Sequence, residues 1–282
     1  MSMRLTADVA LVASKRDPAS LNVRGHLAEA MGLEGSGLVV EGEEVLRGSY
    51  CGKSVALITL ERDLIYADHV ERYVRCRVAV FLSRHSSQSG LPMFSAHVPG
   101  NWTASAEYGG RPSSVCVAPA LLLTRLVRAQ FELAEERRLS GWRCGFEVTH
   151  HGPYLEETPA VFAEIGSDES RWRDPEAGAL LAEAVCRALS GPLEGREAGV
   201  GLGGPHYAPR FNKFVREHDL PIGHIVPLYV FDEIGEGAIR MAVERTLERV
   251  TCAVLDWKGL KRRHKEWLLP LLDEMGLEVV RA

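Results

Sequence analysis

The stretch GFEVTHHGP, residues 145–153, holds two adjacent histidines between an apolar run and a Gly-Pro break. Imidazoles placed there can bind a metal, move protons, or simply occupy a turn. In an extended chain alternate side chains share a face, so Glu147, Thr149 and His151 fall on one side and Phe146, Val148 and His150 on the other. That pattern predicts that at most one of the two histidines faces the core. At ~3.3 Å per residue it also sets Glu147 and His151 about 13 Å apart, too far to share an ion, which makes Glu147 a partner orienting a ligand or a separate base.

Ten histidines occur in the chain, and six follow a strand-like run or a Gly/Pro break: His85 in FLSRHSS, His97 in FSAHVPGNW, His150, His151, His206 in GLGGPHYAP and His224 in PIGHIVP. Ligands of open α/β sheets bind where loops converge beyond the carboxyl ends of strands, so these histidines are expected to share a site. His26, His69, His218 and His264 sit in charged, helical surroundings and read as surface or capping residues. A histidine-rich polar cluster suggests zinc first, because neutral imidazole is the commonest metal ligand and zinc takes nitrogen, sulfur and carboxylate donors. GLGGPH lacks the final glycine of a dinucleotide loop and the lysine of a phosphate loop, so its glycines are expected to serve a tight turn. No G-x-S-x-G or H-E-x-x-H is present, which leaves serine hydrolases and zincins unsupported.

The elements that must position these residues alternate along the chain. Apolar runs DVALVAS, SVALITL, CRVAVFLS, RCGFEVT, AVFAEIGS, AGVGLGG and VTCAVLDW read as strands, separated by helical patterns. One helix is expected from Pro18, capped by Ser20 and stopped at Gly32; a second runs from Pro119 to Gly141, and a third ends at Gly191. The alternation argues for an α/β fold, and with no linker to cut the chain a single domain spanning residues 1–282 is expected, taken as three-layer α/β/α with a mixed, mostly parallel sheet. Residues 83–114, rich in Ser, Gly, Pro and His, are expected to form a long active-site loop.

A net charge of −5 and a pI near 6.1 would repel nucleic acid as a whole, so an RNA ligand requires a local basic patch. DWKGLKRRHKEW, residues 256–267, offers Lys258, Lys261, Arg262, Arg263 and Lys265; the competing reading is a solvated helix face with Leu260, Trp267, Leu268 and Leu271 packed on the sheet. The six cysteines are isolated, form no C-x-x-C pair and read as small buried hydrophobes. No apolar run approaches the roughly 18 residues of a membrane span, and the amino terminus lacks a leader pattern, which together predict a reducing cytoplasm.

Read in order, SRHSS, HVPGNW, EVTHHGP, AEIGS, GGPHYAP, GHI and DWKG resemble the D-aminoacyl-tRNA deacylase family of archaea and plants, from about Val80 to Trp257. Pro205 stands where a further glycine is expected. The resemblance implies hydrolysis of the ester joining a D-amino acid to tRNA, zinc dependence, and an α/β fold similar to phosphorylases and peptidyl-tRNA hydrolases. The resemblance carries the motifs without a role for each residue; for that chemistry His85, His97 and His206 are expected as zinc contacts, His151 as ligand or base, and His150 and Glu147 as orienting or acid/base groups. Lys213, Lys258, Lys261, Arg262 and Lys265 become expected tRNA contacts, and the protein is expected to act as a monomer without an obligate protein partner. A zinc amidohydrolase or carboxypeptidase-like enzyme and a noncatalytic RNA-binding or metal-storing protein are the alternatives.

Overall fold

The computed structural model describes residues 4–282. The chain runs β1 (Leu5–Ser14), α1 (Pro18–Ala30), β2 (Glu34–Val40), β3 (Glu43–Tyr50), β4 (Lys53–Leu60), β5 (Val74–Arg84), β6 (Met93–His97), β7 (Gly100–Asn101) and β8 (Ser114–Val115). It continues through α2 (Ala120–Glu136), β9 (Arg143–Phe146), β10 (Ala160–Gly166), α3 (Glu169–Trp172), α4 (Pro175–Leu189), β11 (Glu197–Leu202) and α5 (Pro209–Glu217). The last elements are β12 (Ile222–Val226), α6 (Glu236–Glu244), β13 (Arg249–Leu255), α7 (Arg262–Glu274) and β14 (Glu278–Arg281).

All seven apolar runs form strands, and the mixed, mostly parallel α/β expectation is borne out. The strands divide between two main sheets and a small two-stranded β7–β8 sheet, however. An eight-stranded sheet has the order β2-β3-β4-β1-β5-β10-β6-β9, and a four-stranded one the order β12-β11-β13-β14. Every pairing of the smaller sheet is parallel, while β10–β6, β2–β3 and β3–β4 of the larger are antiparallel. Along β13, Cys252 and Val254 join the main core, whereas Ala253 and Leu255 join a second core built with Ile239 of α6 and Leu268, Leu271 and Leu272 of α7. Side chains that alternate between two cores in this way mean helices on both faces of the smaller sheet. Helix α2 touches β6 and β9 of one sheet and β11 and β12 of the other, so it ties the two together.

Several boundaries depart from expectation for local reasons. The cap of α1 is Asp17, whose carboxylate accepts from Ser20 N at 3.0 Å, while the Ser20 hydroxyl accepts from Ser14 N at 2.8 Å. Residues 83–114 are not one loop: MFSAH is fully buried and inserts as β6 between β10 and β9. With both faces covered, that run carries no polar alternation to announce it as a strand. Lys258 precedes α7 and Lys261 is its N-cap, so only Arg262, Arg263 and Lys265 of the basic segment lie on the helix itself. Among the described residues all six cysteines are free, with Cys51 exposed and Cys76 and Cys144 only half-buried, and no helix is long and apolar enough to cross a membrane.

Candidate active site

Five of the six post-strand histidines meet. His85 follows β5, His97 ends β6, His150 and His151 lie in the segment after β9, and His206 lies in the turn after β11. His224 stays apart within β12, fully buried, with Nδ1 3.0 Å from the Thr149 hydroxyl and Nε2 near the carbonyls of Cys116 and Arg245. Its bonds satisfy a buried polar ring and hold the Thr149 segment against the smaller sheet. His218 receives the C-terminal end of α5, and His264, although buried, caps α7 and meets Asp232 at 2.8 Å.

Register explains the meeting. Strand β10 lies between β5 and β6, with Glu164 opposite both Ser83 and Ser95 and Phe162 opposite His97. Phe162 and Glu164 share a face, so the carboxylate rises beside the His97 ring, which stacks on Phe162 at 5.0 Å. After Phe146 the chain leaves the sheet: Val148 N donates to His206 O and Thr149 N to Ile225 O, which brings the smaller sheet's turn to the site. His151 then adopts φ 44°, a left-handed conformation that breaks the alternation expected from an extended chain. Both adjacent histidines consequently approach His97, with ring centroids 4.2 Å and 4.7 Å from it. Two motif glycines are required sterically: a Cβ on Gly152 would lie 2.3 Å from Gly110 N and Ile65 O, and one on Gly166 would lie 2.6 Å from the His85 ring.

The cluster has two chemically distinct halves. In the first, Glu147 Oε1 lies 3.0 Å from His85 Nδ1, Glu147 Oε2 accepts from His206 Nε2 at 2.7 Å, and Glu164 Oε2 lies 3.6 Å from His85 Nδ1. Burial alone would raise both carboxyls, but the His206 and His85 rings beside Glu147 hold it well below its ordinary value, and the nearby His85 and His97 rings lower Glu164. Burial likewise works against a charged His85, yet the two carboxylates outweigh it and push its pKa up to about 11. This half is an ionic network with His85 as imidazolium.

In the second half, His97, His150 and His151 each turn Nδ1 to a backbone carbonyl: Val98 at 3.2 Å, Val148 at 2.8 Å and Gly152 at 2.6 Å. A ring whose Nδ1–H is donated keeps Nε2 for a metal, the arrangement that fixes the tautomer of metal-binding histidines. Burial, reinforced by His97, lowers His150 well below the ordinary histidine range and His151 to about 4, so both stay neutral. His97 Nε2 is buried without a hydrogen-bond partner, 3.8 Å from Glu164 Oε1, which raises its proton affinity against the effect of burial. One donor atom from each of these three rings lies within 4.8 Å of the others. The donor set and its orphaned buried nitrogen fit a metal ion.

Two further triplets meet the same spacing, Glu147–His150–His206 and His85–Glu147–Glu164. His85, His97 and His206, expected to share an ion, therefore fall one to each group, because the Glu147 carboxylate sits between His85 and His206 and binds both. Glu147 touches His206 and His85, the position of a group that orients its neighbours. A cavity of about 490 Å³ exposes the cluster, lined also by Asp17, Asp63, Arg84 and Tyr108. Sequence reasoning left out Glu164 and Tyr207, whose hydroxyl is 3.2 Å from His85 Nε2. A carboxylate in the otherwise apolar AVFAEIG was the available signal for the former.

The expected tRNA contacts lie elsewhere on the surface. Lys213 is exposed on α5, 3.8 Å from Glu217. Lys261 and Arg263 face Asp232, Arg262 pairs with Glu266 at 2.9 Å, and Lys265 lies 4.4 Å over the Trp257 ring.

A family model described as D-aminoacyl-tRNA deacylase matches residues 73–280. A D-aminoacyl-tRNA deacylase of Thermococcus kodakarensis is 34% identical over 278 residues, covering 96% of this chain and 98% of its own. One of Caldivirga maquilingensis is 31% identical over 281 residues, covering 97% and 98%. The crystal structure of a conserved protein of unknown function superposes with a TM-score of 0.85 at 28% identity, covering 100% of this chain and 96% of that one.

Proposed function

The chain belongs to the D-aminoacyl-tRNA deacylase family, and from that premise we infer that it hydrolyses the ester of D-aminoacyl-tRNA to free D-amino acid and tRNA at the histidine–carboxylate cluster. The observation that carries the placement is the convergence of four histidines, His85, His150, His151 and His206, with Glu147 and Glu164 in one open cavity, and the buried His97 ring directly behind them. We assign His97, His150 and His151 as the zinc-holding residues. When bound, zinc supplies a Lewis acid and lowers the pKa of water to roughly 7.

The chain's own groups cover the remaining needs of ester hydrolysis. Glu147, an ionised acceptor, fixes the proton of His206 on Nε2 and leaves Nδ1 basic. Nδ1 of His206 then takes a proton from the attacking water and returns it to the ribose oxygen that leaves. His85, held as a cation by Glu147 and Glu164, stabilises the negative charge that develops on the carbonyl oxygen. Lys213, Lys258, Lys261, Arg262 and Lys265 are assigned to tRNA phosphates; the exposed carboxylates beside Lys213, Lys261 and Arg262 hold them only weakly, and Lys265 lies over the Trp257 ring. We read the protein as a cytoplasmic monomer. Release of free D-amino acid from D-aminoacyl-tRNA, with the L-aminoacyl ester as control, tests the reading; a D-ester left intact would contradict it.

A further inference from the structure

A second cavity, of about 390 Å³, opens on the other side of the histidine pair. It shares Tyr108, His150 and His151 with the reaction cavity, and its remaining wall includes Trp102, Tyr229 and Val230. The two cavities differ in chemistry. Four carboxylates, Asp17, Asp63, Glu147 and Glu164, line the first beside its histidines and Arg84. Aromatic rings dominate the second, and neither lysine nor arginine lines it.

We propose that this aromatic cavity binds the adenine ring of the tRNA's terminal nucleoside while the aminoacyl group enters the carboxylate-lined cavity. The proposal rests on the deacylase reading and assigns the two ends of that substrate. The scissile ester sits on the terminal ribose, so the purine lies one sugar ring from the reacting carbonyl and the amino acid lies on the other side of it. Two cavities that meet at His150 and His151 match such a divided ligand. The free α-ammonium of the amino acid is drawn to the carboxylates, whereas a neutral planar base gains by stacking on aromatic faces.

The wall is built for a flat ring. Trp102 is 5% exposed and locked, its Nε1 donating to Thr149 O at 3.0 Å with its ring edge-on to His224. Tyr108 and Tyr229 are instead 64% and 56% exposed, large aromatics for which the protein itself supplies no cover. Asn101 spends its amide donors on the carbonyls of Gly109 and Arg111, which leaves Oδ1 as an acceptor in the lining, complementary to an exocyclic amine. A phosphate would find no cation in this cavity.

The test is calorimetric titration of adenosine 5′-monophosphate into the intact protein and into Tyr229→Ala and Tyr229→Phe, alongside KM for D-aminoacyl-tRNA. The nucleotide is expected to bind, with affinity falling roughly ten- to a hundredfold in Tyr229→Ala, the scale of one lost base-on-aromatic stack, and within about threefold of wild type in Tyr229→Phe. KM should rise with the same ordering. Absent binding, or equal binding to wild type and Tyr229→Ala, would overturn the adenine assignment even if the wild type cleaves the D-ester. Binding of free D-tyrosine lost in Tyr229→Ala, with the nucleotide unaffected, would give the cavity to the amino acid and also overturn it. Failure of the wild type to cleave the D-ester, with the nucleotide still bound, would instead remove the deacylase reading.

Discussion

Glu147→Gln separates charge from shape at the centre of the site. Glu147 is 1% exposed and faces three imidazoles, with His206 at 2.7 Å, His85 at 3.0 Å and His150 at 3.7 Å. Glutamine keeps the volume but offers a single acceptor oxygen, so one of the two nearest N–H groups must meet an amide donor. The hydrogen bond to His206 also ceases to be charge-assisted, and such bonds contribute about 1.5–3 kcal/mol net. If that orientation is required in the transition state, kcat/KM falls by about 10- to 150-fold. The assay is release of labelled D-amino acid from D-aminoacyl-tRNA at subsaturating substrate, with a thermal midpoint for each protein. A loss below about threefold with the fold intact would refute the role of Glu147 in fixing the His206 tautomer.

His151→Ala should lower zinc uptake, read by metal analysis, and turnover by at least about a hundredfold, since a metal contributes several kcal/mol to charge stabilisation; His218→Ala, away from the cluster, should stay within about twofold. Burial holds His224 neutral down to about 3 in the folded chain, whereas an unfolded histidine titrates near ~6.5. Below that value the unfolded state binds the proton and the folded state does not, so stability falls with falling pH by up to about 1.4 kcal/mol per unit, and chemical denaturation from pH 7 to 4 should show a shallower fall in His224→Gln. Lys261→Glu with Arg262→Glu should weaken tRNA binding and reduce its salt slope by about one unit per lost phosphate contact; unchanged affinity and slope, with circular dichroism intact, would remove these two residues from the tRNA surface.

Much of the site was legible because chemistry-bearing residues followed runs whose strand character is plain. VAVFLSRH, AVFAEIGS and AGVGLGGPH all place their polar ends where the strands end or turn. Pairwise geometry was not legible. Nothing in THHGP announces the left-handed φ at His151, so an extended chain separated two rings that in fact converge on His97. Periodicity identifies strands without naming their neighbours, which is why one sheet was expected where an eight-stranded, a four-stranded and a small two-stranded β7–β8 sheet occur. MFSAH, covered on both faces, showed no alternation, and the β2–β3 hairpin was hidden in the glycine-rich, polar EGSGLVVEGEEVLRGSY, whose turn places Glu41 and Gly42 at positive φ. His224 had the same sequence setting as its five counterparts; only the hydrogen bonds of the folded chain assign it to the scaffold.

The most direct test of a zinc-dependent centre specific for D-aminoacyl esters is one deacylation series. D- and L-aminoacyl-tRNA are offered to the protein as purified, after exhaustive chelation, and after return of stoichiometric zinc, with bound metal counted in each state. Cleavage of the D-ester alone, lost on chelation and regained with zinc, is the expected result. Undiminished cleavage by protein shown to be metal-free would contradict the assignment of His97, His150 and His151, and equal cleavage of both esters would contradict chiral specificity.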